Sequence, residues 1–137
     1  MIYLDTSVLL KRYCDELDSD EIRRLMFGAP SIATASFSYA EFFSGLHRKL
    51  RENAMDAAAY RSATIAFDEE WRRWTVVPLS NEVLQRARAM SERHGLRAGD
   101  AVQLGSAMAL AVTLPVQFAS ADHSLTRAAR AEGLPVR

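Results

Sequence analysis

The chain has little to staple it and no surplus of either charge. It contains one cysteine, Cys14, in 137 residues, which excludes an intramolecular disulfide framework and a cysteine-based zinc cage and fits a reducing cytoplasm. Cys14 itself reads as a small, partly buried apolar side chain. Basic and acidic residues both number 17, so the formal net charge is zero. No global field then steers the chain toward nucleic acid, and any such contact must come from local patches. Glycine (6) and proline (4) are few and no low-complexity tract occurs, which excludes a disordered or fibrous chain. Asp5 precedes the first bases, Lys11 and Arg12, the reverse of a secretory signal, so a cytoplasmic location is expected. Only Ala101 to Ala121 is uncharged over a length that spans a bilayer. Its Gln103, Ser106, Thr113, Gln117 and Ser120 and the break at Pro115 predict a helix followed by a buried strand instead, and no membrane contact.

What is present is organised around the first ten residues. A short uncharged apolar run ends at Asp5, followed by Thr6 and Ser7. The run fits a strand buried on both faces, and either hydroxyl can cap a helix beginning near Val8. Asp5 then sits at the carboxyl end of a strand, where ligands collect in open α/β sheets; the bland alternative is an aspartate that only caps a helix.

The rest of the chain alternates. Asp18 or Ser19 can cap a helix with Ile22, Leu25 and Met26 at helical spacing up to Gly28. Ser31 to Ala35 reads as a strand, and Ser36 can cap a long helix through about Leu50. On that helix Tyr39, Phe42, Phe43, Leu46 and Leu50 share one stripe, which packs against the sheet or against another chain. Glu41 lies on the opposite side with Phe37, Ser44 and Arg48, where an ordinary solvated glutamate is also expected. Met55 to Trp74 is helical, with Asn53 a candidate cap; Thr75 to Leu79 is a strand; Ser80 caps a helix over Asn81 to His94, which Gly95 ends. Asp100 falls in the first turn of one more helix, where the helix dipole alone would favour an acid. Val116 to Ala119 is a fourth strand, running into Ser120-Ala121-Asp122, and His123 to Arg130 is the last helix.

This alternation predicts one domain over residues 1–137 with a parallel sheet of about four to five strands and helices on both faces. If the strands ending at Asp5 and Asp122 are neighbours, the two carboxylates share one crevice. Asp5, Glu41, Asp100 and Asp122 all stand at strand ends or on helices where they can converge. Carboxylates gathered this way repel one another unless a cation sits among them or some stay protonated, and an all-oxygen set selects a hard ion.

Four stretches carry a resemblance over the whole chain: Ile2-Tyr3-Leu4-Asp5-Thr6-Ser7, Ser38-Tyr39-Ala40-Glu41-Phe42, Leu96-Arg97-Ala98-Gly99-Asp100-Ala101, and Ala119-Ser120-Ala121-Asp122. In this order and spacing they resemble the PIN-domain ribonucleases, and among them the VapC-type toxins of bacterial toxin–antitoxin pairs. The resemblance implies a three-layer α/β/α fold and a metal-dependent endoribonuclease. Asp5, Glu41, Asp100 and Asp122 would hold Mg²⁺ or Mn²⁺, with the Thr6 and Ser120 hydroxyls in support. It implies that a metal-activated water attacks the RNA phosphodiester, with no protein nucleophile. Ser120 stands where the family often has threonine, so the hydroxyl is kept. The resemblance also implies a cognate antitoxin (VapB-like) entering the acidic groove and a homodimer, for which the aromatic stripe is a candidate surface. RNA contact is expected from a few bases such as Arg12, Arg48 and Arg97. His47, His94 and His123 match no catalytic position.

Two rival enzymes fit poorly. A haloacid-dehalogenase-like phosphatase wants a second acid two residues after the first, where this chain has Ser7, and a Rossmann module wants a glycine loop that Asp5-Thr6-Ser7 lacks. A catalytically silent PIN-fold module that binds RNA or protein is the rival from another class; such copies lose acids, and here all four are present.

Overall fold

The computed structural model describes residues 1–137. Four short strands, β1 (Ile2–Leu4), β2 (Ile32–Ala35), β3 (Thr75–Val77) and β4 (Gln117–Ala119), form one sheet in the order β3-β2-β1-β4. Every pairing is parallel. The chain moves outward from β1 to β2 and β3, then crosses back to place β4 on the other side of β1. The strand order therefore reverses between β1 and β4, which is where crevices open in doubly wound sheets.

Seven helices cover the sheet: α1 (Thr6–Tyr13), α2 (Ser19–Phe27), α3 (Phe37–Arg51), α4 (Ala57–Trp71), α5 (Asn81–His94), α6 (Ala98–Ala111) and α7 (His123–Ala131). β1 shows why both faces need cover, because successive strand side chains point to opposite sides and all three of its residues are buried. Tyr3 joins a core with residues of α5, α6 and α7, including Val83, Leu104 and Leu125. Ile2 and Leu4 join a second core with α1 to α4, including Val8, Met26, Phe42, Leu46 and Phe67. The result is the three-layer α/β/α sandwich that alternation predicted, with four strands. None of its helices is long and apolar enough to cross a membrane.

Two contacts set how the layers close. On one side Phe42 and Phe67 stack with ring centroids 3.8 Å apart and planes 6° apart, each burial contributing about 1.5–3 kcal/mol. On the other, a Cβ on Gly105 would lie 2.9 Å from the Ala87 backbone nitrogen. Only glycine lets α6 approach α5 this closely.

Several local expectations are corrected. Helix α1 starts at Thr6, not near Val8, and its cap is Asp5, whose side chain accepts from the Thr6 N–H; neither hydroxyl caps it. Ser36 makes no side-chain cap, because its hydroxyl accepts from Leu79 N–H instead, at 3.1 Å. Asp56, not Asn53, caps α4 through Ala59 N–H, while Asn53 adopts a left-handed turn at φ 57°. That helix ends at Trp71, and β3 ends at Val77. The aromatic stripe of α3 packs inward: Phe42 and Leu46 are fully buried, and Tyr39 leans on Phe43, Phe67 and Trp71. Tyr39 itself stays 40% exposed at the outer edge of the stripe.

Candidate active site

β1 and β4 are in register, with Leu4 opposite Ala119, so Asp5 and Ser120 emerge side by side at the carboxyl ends of adjacent strands. Asp5 is 5% exposed and heavily tied. Its Oδ1 accepts from Thr6 N–H at 2.7 Å, and its Oδ2 accepts from the hydroxyls of Ser7 at 2.6 Å and Ser120 at 2.8 Å. Burial pushes the Asp5 carboxyl above its ordinary range, the three hydrogen bonds oppose that, and the Glu41 charge adds to it. The capping role and the cleft role belong to the same side chain.

The polar face of α3 brings Glu41 to this point. Glu41 Oε2 accepts from Thr6 Oγ1 at 2.7 Å. Glu41, Phe37, Ser44 and Arg48, grouped on one side of the helix wheel, all line an open cleft of about 530 Å³ together with Asp5, Thr6, Asp100 and Asp122. Gly99 makes room for this approach, since a Cβ there would stand 2.8 Å from Glu41 Oε1.

Asp100, in the first turn of α6, is half-buried. Its carboxyl is pushed up by burial first and then by the charges of Asp5, Asp122 and Glu41, with Arg97 drawing it back down. Asp122 ends the loop after β4 and caps α7 by accepting from Leu125 N–H at 2.9 Å. All four sequence-selected acids thus border one cleft. They surround it without closing on a shared point: no three His, Cys, Asp or Glu side chains form a ready-made metal-binding group.

The donor set suits a hard ion nonetheless. It is all oxygen, two of its acids carry the cost of burial and mutual repulsion, and Mg²⁺ keeps several waters and takes only one or two carboxylates directly. No histidine lines the cleft.

The basic residues divide. Arg48 borders the cleft and Arg97 stands by Asp100. Arg12 does not join them: it is paired with Glu70 at 2.8 Å, in a different pocket that Arg23, Arg24 and Arg73 also line. Arg93 and His94 are both engaged by Glu132, at 2.9 and 2.7 Å.

Two residues were missed in the sequence. Ser7 donates to Asp5 Oδ2 and accepts from Ala121 N–H, tying the two strand ends together. Gln103 reaches Glu41 and Thr6 from beneath. Its spacing of three from Asp100, on a helix otherwise poor in polar groups, was the available signal.

A parallel sheet with acids from four separate segments around its switch-point crevice defines an α/β domain with an acid-lined cleft. Residues 2–131 match the PIN domain family, and the chain belongs to that family. Ribonuclease VapC45 of Mycobacterium tuberculosis (strain CDC 1551 / Oshkosh) is 26% identical over 110 residues, which span 80% of this chain and 76% of that protein. Among solved structures, Mycobacterium tuberculosis VapC20, a sarcin-ricin loop cleaving toxin, aligns with a TM-score of 0.71 at 16% identity, covering 98% of this chain and 96% of its own. VapBC2 from Rickettsia felis, bound to a DNA fragment from its promoter, aligns with a TM-score of 0.66 at 16% identity, covering 100% and 98%. At these identities the structural likeness is one of fold.

Proposed function

We propose that the chain is an Mg²⁺- or Mn²⁺-dependent endoribonuclease acting as the toxin of a toxin–antitoxin pair. One observation carries the reading: Asp5, Glu41, Asp100 and Asp122, from four distant segments, border one cleft where two of them are held above their ordinary pKa range. Such an arrangement is costly to folding unless a cation uses it. Similarity to a ribonuclease and to a sarcin-ricin loop cleaving toxin supports the same direction.

A bound divalent ion would supply charge neutralisation on the phosphoryl oxygens and a water of lowered pKa. The chain's own residues do the rest. Thr6 N–H, Ser7 and Ser120 fix the Asp5 carboxylate in one orientation. Thr6 fixes Glu41. Asp100 and Asp122 complete the negative rim, and Arg48 offers a guanidinium to a phosphate. Ser7 and Ser120 commit their protons to Asp5 and Thr6 commits its proton to Glu41, so these hydroxyls act by orienting the two carboxylates.

The partners we infer are RNA, a small antitoxin that sets a basic side chain among the acids, and a second copy of this chain, all in the cytoplasm. Structural similarity to a toxin–antitoxin complex from Klebsiella pneumoniae supports the antitoxin. The test is a cleavage assay on total RNA with Mg²⁺ or Mn²⁺, with chelator, and with Asp5→Asn. Cleavage that needs the metal and is lost in a folded Asp5→Asn is expected; wild-type cleavage by that variant would make the chain something other than this nuclease.

A further inference from the structure

Beneath the acids, buried polar side chains form a directed network of hydrogen bonds that the chemistry above does not use. Gln103 lies one turn along α6 from Asp100 and is 1% exposed. Its Oε1 accepts from the Tyr3 hydroxyl at 3.0 Å. Its Nε2 stands 2.7 Å from Glu41 Oε2, 2.9 Å from Thr6 Oγ1 and 2.9 Å from Ser38 Oγ.

The proton directions follow from the neighbours. Thr34 gives its proton to the Leu4 carbonyl at 2.8 Å, so the Ser38 hydroxyl, 2.7 Å away, donates to Thr34 and is left an acceptor toward Gln103. Thr6 donates to Glu41 and is likewise left an acceptor. The amide therefore meets three oxygen acceptors on one side and a phenol donor on the other. Only one orientation serves both; turned over, the amide oxygen would face a carboxylate and two hydroxyls whose protons are committed. Burying an amide is costly unless every bond is made. Here the bonds of its nitrogen go to residues that wall or support the cleft.

We propose that Gln103 is a positioning residue of the acid cleft: its amide holds the Glu41 carboxylate and the Thr6 hydroxyl in place, and Tyr3 sets the amide's orientation. Both side-chain hydrogen bonds to Glu41 fall on Oε2 and none on Oε1, so Gln103 and Thr6 together determine which oxygen of Glu41 stays free for a ligand. The inference rests on the reading that Glu41 helps to hold a divalent cation.

The experiment measures Mn²⁺ binding by calorimetry on the full chain as wild type, Gln103→Met, Glu41→Gln, Asp5→Asn and the Gln103→Met/Glu41→Gln double variant. Gln103→Met should weaken Mn²⁺ binding about tenfold, as loss of a ligand's supporting hydrogen bond does, and lower kcat on RNA more than it changes KM. The double variant should bind no more weakly than Glu41→Gln alone, because the effect passes through Glu41. Wild-type Mn²⁺ affinity in a folded Gln103→Met, or a full additional loss in the double variant, would overturn the proposal while leaving the metal site standing. If Glu41→Gln and Asp5→Asn themselves leave Mn²⁺ affinity unchanged, the metal reading falls and this inference with it. Should Gln103→Met fail to fold, Tyr3→Phe keeps the ring stacked on Phe118, at 5.6 Å, and removes only the orienting hydroxyl. It should weaken Mn²⁺ binding about threefold, and unchanged affinity there overturns the proposal equally.

Discussion

Ser120, at the end of β4, donates its hydroxyl to Oδ2 of Asp5, at the end of β1, across 2.8 Å of space and 115 positions of chain. That bond exists because β1 and β4 are parallel neighbours at the point where strand order reverses. The sheet topology, more than any local motif, brings the two strand-end acids together.

The two close-approach glycines should separate fold from site. Gly105→Ala would drive a Cβ into the backbone of α5, and we expect a loss of about 1–3 kcal/mol of stability with the cleft unchanged. Gly99→Ala clashes with the end of the Glu41 side chain and meets the Phe37 ring at an ordinary 3.7 Å, so it should fold nearly as well as wild type but cleave RNA more slowly. Denaturant melts alongside cleavage rates check both; equal effects of the two substitutions on stability and activity would contradict the assignment.

The divided basic residues predict a divided salt dependence. Arg48→Ala and Arg97→Ala should each lower the slope of log K against log salt for RNA by roughly 0.7–1. Arg12→Ala should leave the slope alone, since its guanidinium is turned to Glu70. Filter-binding titrations across a salt series would show this, and a slope lowered only by Arg12→Ala would move the RNA path away from the cleft.

Without metal, the raised carboxyls of Asp5 and Asp100 should be visible as a pH dependence of stability. Below the unfolded value of about 3.9 both states hold the proton and nothing is lost. As pH rises from there through the raised folded values, the unfolded chain releases protons first, and the stability contributed by these groups falls away. In chelator, wild type should therefore lose more of its melting temperature between pH 4 and neutrality than Asp100→Asn does. Parallel curves for the two proteins would remove the raised Asp100 carboxyl from the account.

The sequence carried the sheet because its signals were local and unopposed. Four apolar runs, each ending where a helix starts, fall as four parallel strands, and Ser80 caps α5 as read, through Val83 N–H. Boundaries were lost where two residues competed for one job. Asp5 took the cap that Thr6 or Ser7 was expected to make, and Asn53 took a left-handed turn, which left the capping to Asp56. The wheel placed Glu41 on the polar face with Ser44 and Arg48, where an ordinary solvated glutamate was equally expected, and only the resemblance singled it out. Ser7 and Gln103 were not legible as site residues, because their roles depend on which strands and helices become neighbours. The spacing of Gln103 from Asp100 marks it as a polar residue on the same helix, but does not say that Tyr3, Thr6, Ser38 and Glu41 will surround it. The same non-local packing turned the aromatic stripe inward, onto Phe67 and Trp71 of α4.

The central claim is that the four acids act as one cation site, and the shift of melting temperature with Mn²⁺ at neutral pH tests it most directly. Ion binding to the folded state alone stabilises it by mass action and offsets the burial and the neighbouring charge that lift Asp5 and Asp100. Starting from chelator, Mn²⁺ should raise the wild-type midpoint by several degrees at concentrations well above its dissociation constant and raise that of Asp100→Asn by much less. Asp100→Asn should begin from the higher midpoint. A wild-type midpoint that does not move with Mn²⁺, or one that moves equally in both proteins, would contradict a shared site.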